Sequence, residues 1–191
     1  MPTLVHEYDW PDRVVVGTVG RPGERTFYLQ VRHGARSTSV ALEKEQSVLL
    51  AAKMDGLLDE LTADPDHPVT APQEVPDELI DNDPLDQPVE EEFRSGTMTL
   101  GWDPRTAQIV IEAFALDERD EGEAVEPGED GLDEPSPDEP SAVLRVRIPV
   151  GAARAFAQRT RQVAFAGRPI CPLCARPIDP DGHVCDLTDD R

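Results

Sequence analysis

The distribution of charge decides which segments of this chain can be buried. Residues 59–92 hold thirteen Asp and Glu and no Lys or Arg, and residues 117–140 hold twelve against the single Arg119. Carboxylates in such density find no partners in a core, so both stretches are expected at the surface, as an acidic connector (63–92) and an acidic insertion (117–140). Together they exceed the whole formal charge of −21, which leaves the rest of the chain slightly basic. With 38% apolar residues overall, that remainder can form a core. The insertion, rich in Pro, Gly and carboxylates, is expected to be removable.

No window approaches the eighteen or so consecutive apolar residues of a membrane helix. The start Met1-Pro2-Thr3 lacks a basic region followed by an apolar run, so a cytoplasmic protein with no membrane partner is expected.

Outside the acidic stretches the apolar residues fall into two periods. Arg13 to Val19, Thr26 to Arg32 and Arg36 to Leu42 read as three strands, with turns at Gly20-Arg21-Pro22-Gly23 and His33-Gly34-Ala35. Phe27, Leu29 and Val31 share one face of the second strand, and Thr38, Val40 and Leu42 one face of the third. From Glu43 the spacing becomes helical through Leu50, Met54, Leu57, Leu58 and Leu61, and it ends near Thr62, before Asp64-Pro65. One short helical turn is expected around Glu78-Leu79-Ile80.

The second half repeats this plan. Thr97 to Trp102, Gln108 to Ala115 and Ala142 to Ile148 read as strands, and Pro149 opens a helix with Phe156, Thr160, Val163 and Ala164 along one face. Aligning Gly17-Thr18 with Gly96-Thr97 relates the halves 1–62 and 93–166 as a duplicated strand-strand-strand-helix unit. The alternative is a chance coincidence of two Gly-Thr pairs within a single mixed sheet. The expected class is α+β, with antiparallel sheet or sheets and two helices over residues 1–166, and a small C-terminal zinc ribbon at 167–191.

That ribbon rests on the clearest chemistry in the chain. Cys171 and Cys174 form a Cys-x-x-Cys pair, and His183 and Cys185 follow after a Pro180-Asp181-Gly182 turn. Three thiolates and an imidazole within so short a span match a structural, tetrahedral zinc site. His183 and Cys185, two residues apart, require a turn or bulge between them. Asp181 or Asp186 is the nearest substitute if His183 is displaced. A closed four-ligand site keeps no position for water or substrate, so the zinc is expected to be structural rather than catalytic.

Other candidates carry less. His33 falls in a hairpin turn and His67 in the acidic connector, where solvated histidines are ordinary. Gly17-Thr18-Val19-Gly20 leads into a strand, not a helix, so it is no phosphate loop. Arg145, Arg147, Arg154, Arg159, Arg161, Arg168 and Arg176 fall in a stretch, Ser141 to Ile178, without Asp or Glu. Such a face beside a zinc ribbon could touch nucleic acid. The carboxylates of the same chain compete for those arginines, so cover by its own acidic segments or by an acidic protein partner is favoured, and no nucleic-acid binding is expected.

Several runs together resemble a known family: Pro11-Asp12-Arg13, Gly17-Thr18-Val19-Gly20, Pro22 to Gln30, Val40 to Gln46, Glu92 to Met98, and Gly167-Arg168-Pro169 leading into the Cys-x-x-Cys pair and Gly182-His183-x-Cys185. The resemblance is to the actinobacterial domain-of-unknown-function 3090 family, and it covers nearly the whole chain. It implies an actinobacterial source and company with two other proteins, one similar to a histidine phosphatase or phosphomutase, the other faintly similar to a lipid kinase. It supplies no catalytic residue. The acidic insertion and Ala175, where a glycine often follows the second cysteine, depart from the expected pattern.

The favoured function is non-catalytic: a binding or adaptor protein that presents its zinc ribbon and basic C-terminal face to a protein partner. The alternatives are a nucleic-acid-binding zinc ribbon and an enzyme acting on a phosphorylated metabolite, with arginines as anion anchors and Glu43 or Glu45 as base. Those glutamates also suit the start of a helix, where they favour its dipole.

Overall fold

The computed structural model describes residues 3–21, 24–64, 71–116 and 140–166. In chain order the elements are β1 (Leu4–Asp9), β2 (Arg13–Val19), β3 (Thr26–His33), β4 (Arg36–Leu42), α1 (Lys44–Ala63), β5 (Glu91–Asp103), β6 (Gln108–Ala115), β7 (Ala142–Pro149) and α2 (Val150–Phe165). A 3-10 turn at Asp77–Leu79 precedes β5. Two antiparallel meanders, β2-β3-β4 and β5-β6-β7, are each followed by a helix, as the two hydrophobic periods indicate.

The strands form one sheet in the order β1-β7-β6-β5-β4-β3-β2. The expectation of antiparallel sheet is corrected at two pairings, because β4 runs parallel to β5 and β1 parallel to β7. Parallel neighbours need a long crossover, and α1 with the connector supplies it between β4 and β5. β1 has no counterpart in the sequence reading. Its buried positions are His6 and Tyr8 while its two aliphatic residues, Leu4 and Val5, are exposed, so it carries little hydrophobic signal.

The sheet curls strongly. Only Trp10, Pro11 and Asp12 join the two edge strands, a link that spans at most about 14 Å. Laid flat, seven strands would separate the edges by about 29 Å. Across the inside of the curl Tyr8 Oη on β1 meets Thr38 Oγ1 on β4 at 2.7 Å, and Arg36 stacks on the Tyr8 ring at 4.5 Å. The bend is made at Trp10, whose φ of 50° lies in the left-handed region. Its N–H still donates to Arg147 O on β7.

The inner face carries Val16, Leu29, Val31, Val40, Leu42, Ile109, Ile111, Leu144, Val146 and Ile148 into one core with Leu50, Met54 and Leu58 of α1 and Phe156 and Ala157 of α2. At the start of α1 the Glu43 N–H donates to Gln46 Oε1 at 2.8 Å, and the Gln46 amide donates onward to Gly96 O at 2.7 Å, which ties the helix to β5. The helices are joined by Arg154 of α2, which reaches Asp55 at 2.8 Å and Asp59 at 2.6 Å. No described helix is long and apolar enough to cross a membrane.

The Gly-Thr pairs that suggest a repeat both mark close approaches. A Cβ on Gly17 would lie 2.5 Å from Leu85 Cγ, and one on Gly96 3.1 Å from Leu116 Cα. Gly17→Ala is therefore expected to destabilise the fold by about 1–3 kcal/mol. In a Leu85→Ala background the same change should have a much smaller effect, as a double-mutant cycle in urea would show. Gly56, mid-helix in α1 with open space around its Cα, should instead gain roughly 0.5–1 kcal/mol on replacement by Ala.

Candidate functional site

Cys171, Cys174, His183 and Cys185 all lie outside the described residues, as do Arg168, Arg176, His67 and the insertion 117–139. Among the described residues no three His, Cys, Asp or Glu side chains converge as a metal site. The densest polar constellation is instead built on β2, at the open edge of the sheet.

β2 places Val14 and Val16 on the inner face, opposite Val31 and Leu29, so Arg13 faces outward beside Arg32. α2 runs along the same edge and presents Arg159 to it. Between them passes the segment Asp81–Asp86, which forms a strap. Arg13 grips Asp81 with two nitrogens, Nε to Oδ2 at 2.6 Å and Nη2 to Oδ1 at 3.0 Å. From the other side Arg159 Nη1 donates to the same Asp81 Oδ1 at 2.8 Å. Arg13 also donates to Asp86 Oδ1, Asp83 O and Pro84 O. Arg159 further donates to Asp81 O, Asp83 O and the Val16 carbonyl of β2. The strap is fixed at its far end by buried Gln30, whose amide donates to Asp86 O at 3.1 Å and whose carbonyl accepts from Asp86 N at 2.8 Å. Leu85 fills the space left open over Gly17.

Both arginine side chains are 9% exposed and the Asp81 side chain 30%. The two hydrogen bonds from Arg13 hold the Asp81 carboxyl below the usual carboxylate range, against burial, which pushes it up. Burial lowers Arg159 from the usual guanidinium value, with Asp81 opposing. Every guanidinium nitrogen of the pair has at least one acceptor within the chain, so the cluster holds charge in place.

The described arginines of the basic stretch are likewise paired within the chain. Arg145 pairs with Glu112 at 2.7 Å, Arg147 with Glu7, Arg154 with Asp55 and Asp59, and Arg161 with Asp55. With Arg159, all five described arginines of that stretch meet carboxylates of the chain itself. Glu43 caps α1 and pairs with Arg94 at 2.9 Å, Glu45 is exposed on the first turn, and His33 is exposed at the end of β3. None of the three stands beside the buried arginines. The sequence reading missed Arg13, Gln30, Asp81 and the inward His6, whose Nε2 lies 3.5 Å from Glu92. The only local signal was a polar residue, Gln30, inside a strand.

A family model described as "Protein of unknown function (DUF3090)" matches residues 6–185, from His6 of β1 to the last cysteine. The chain belongs to this family. No curated protein and no solved structure matches it significantly. The family match takes in both sides of the clasp and the Cys/His quartet.

The lowered Asp81 carboxyl fixes a pH dependence. Its contribution is fully present above the unfolded carboxylate value, about 3.9, and is lost as pH falls through the lower native value. Asp81→Asn is expected to reduce stability by about 2–3 kcal/mol at pH 7. The difference from wild type should shrink as pH falls from about 5 toward 2. Urea unfolding at several pH values measures both.

Proposed function

We propose that this protein is a cytoplasmic, non-catalytic adaptor that holds one structural zinc through Cys171, Cys174, His183 and Cys185 and engages a protein partner through its C-terminal segment. The observation that carries the reading is the consumption of charge in the body. The five described arginines of the C-terminal stretch and both sides of the β2 clasp each meet a carboxylate of the chain itself, which weakens them as anion anchors for an enzyme or a nucleic-acid binder. α2 ends at Phe165, and the following Ala166 carbonyl accepts from Arg25 Nη1 at 2.9 Å. The last described residue before the Cys/His segment is thus anchored to the body. Three thiolates and an imidazole suit zinc, and the metal would supply the folding energy that so short a segment cannot draw from a core.

Two measurements test this reading. Protein purified without chelator is expected to carry one zinc per chain by elemental analysis, and Cys174→Ala to lose it. Stoichiometric absence of metal from the wild type would refute the site. The full chain is also expected to show no binding to duplex DNA or single-stranded RNA by fluorescence polarisation at about 0.15 M salt. Tight binding that falls steeply with salt and weakens in Arg168→Gln and Arg176→Gln would move the chain to the nucleic-acid class.

A further inference from the structure

An edge strand presents a row of unpaired backbone groups that templates association with another chain. The sheet has two such edges and treats them differently. Among the described strands β2 hydrogen-bonds only to β3, and its Val16 carbonyl accepts from Arg159 Nε at 3.2 Å. In an antiparallel strand the residues that point their backbone outward alternate, so Val14, Val16 and Thr18 form the open row. On β1, Leu4 N and Trp10 N donate to Ser141 O and Arg147 O beside β7, which leaves Val5, Glu7 and Asp9 outward. There Arg36 Nη1 reaches Glu7 O at 3.4 Å.

The two edges also differ in how they would pair with a second copy. Joined to itself about a two-fold axis, β1 would set Glu7 against Glu7 and Val5 against Asp9. Like charges directly opposite are destabilising, so β1 is protected by its own sequence. β2 would set Val16 against Val16, Val14 against Thr18 and Val15 against Gly17. No charge intervenes between Arg13 and the end of the strand, and the β-branched run favours pairing. This self-compatible edge is the one that carries the strap, Arg159 and a buried two-arginine grip on Asp81.

We propose that the β2 edge is a latent self-association surface, held shut by Arg159 and the Asp81–Asp86 strap, and that its occupant when uncovered is β2 of a second copy. Arg159 occupies the carbonyl a partner strand would use. Asp81 keeps Arg159 there, and Arg13 and Gln30 hold the strap over the adjoining outer face. The inference is independent of the zinc site and of any partner at the C-terminus.

Size-exclusion chromatography with light scattering on the full chain, over a wide concentration range, tests it. Arg159→Met keeps the apolar stem and removes the carbonyl cap. Asp81→Asn keeps the shape of the strap and loosens it, and serves where the first variant fails to fold. Folded variants, judged by circular dichroism, are expected to reach at least twice the wild-type mass on concentration. Adding Thr18→Pro removes an outward N–H of β2 and should restore the wild-type mass, because a partner strand then lacks a donor. Folded variants that keep the wild-type mass throughout would overturn the proposal. So would a mass increase that Thr18→Pro does not reverse.

Discussion

Asp81 holds a negative charge between two guanidiniums that the fold has taken almost wholly out of water. Without Asp81, Arg159 would lose the carboxylate it pairs with and keep only carbonyl acceptors, and a buried charge left so costs far more than the net worth of the intact pair. The clasp therefore works as a constraint on geometry more than as a source of stability. It sets the position of the strap, of α2 along β2, and of the edge strand itself. Three segments remote in sequence, β2, the acidic connector and α2, must be in place together for the whole clasp to form.

The curl of the sheet makes this meeting possible. A three-residue link between the edge strands brings them together, and the concave face that results encloses both helices. α2 then touches β2 at one edge and β6 and β7 near the other. Arg159 is consequently both part of the helix face that closes the core and the group that caps the edge. Its neighbour in register on α2, Thr160, is fully buried and returns its hydroxyl to Phe156 O at 2.7 Å. Polar residues at this helix face are tolerated because each has an acceptor within the fold.

The same economy governs the surface. A basic stretch free of carboxylates in sequence becomes, in three dimensions, a series of cross-strand and helix–helix ion pairs, with Thr99, Glu112 and Arg145 joined across β5, β6 and β7. Exposed pairs of this kind contribute little stability individually. Their consequence is functional: they withdraw from solvent-borne anions the charges that local composition offers. A reading of function from local charge therefore overstates what this face presents.

The sequence by itself determined the two meanders and both helices, because their alternation and helical spacing record local geometry that faces a single core. Phe27, Leu29 and Val31, and likewise Leu144, Val146 and Ile148, are buried as their period requires. The stop of α1 before Asp64-Pro65 is similarly local. The family, too, was legible in its motifs. Only tertiary structure decided the parallel pairings of β4 with β5 and β1 with β7, since strand direction depends on crossovers that leave no mark within a strand. β1 escaped notice because its two aliphatic residues, Leu4 and Val5, are exposed while its buried positions are His6 and Tyr8. Asp81 is one of thirteen acids in 59–92, and Arg159 one of seven arginines in its stretch. Nothing in their neighbourhoods distinguishes them, because what sets them apart is a partner about 70 to 80 residues away, as Arg13 and Arg159 are from Asp81.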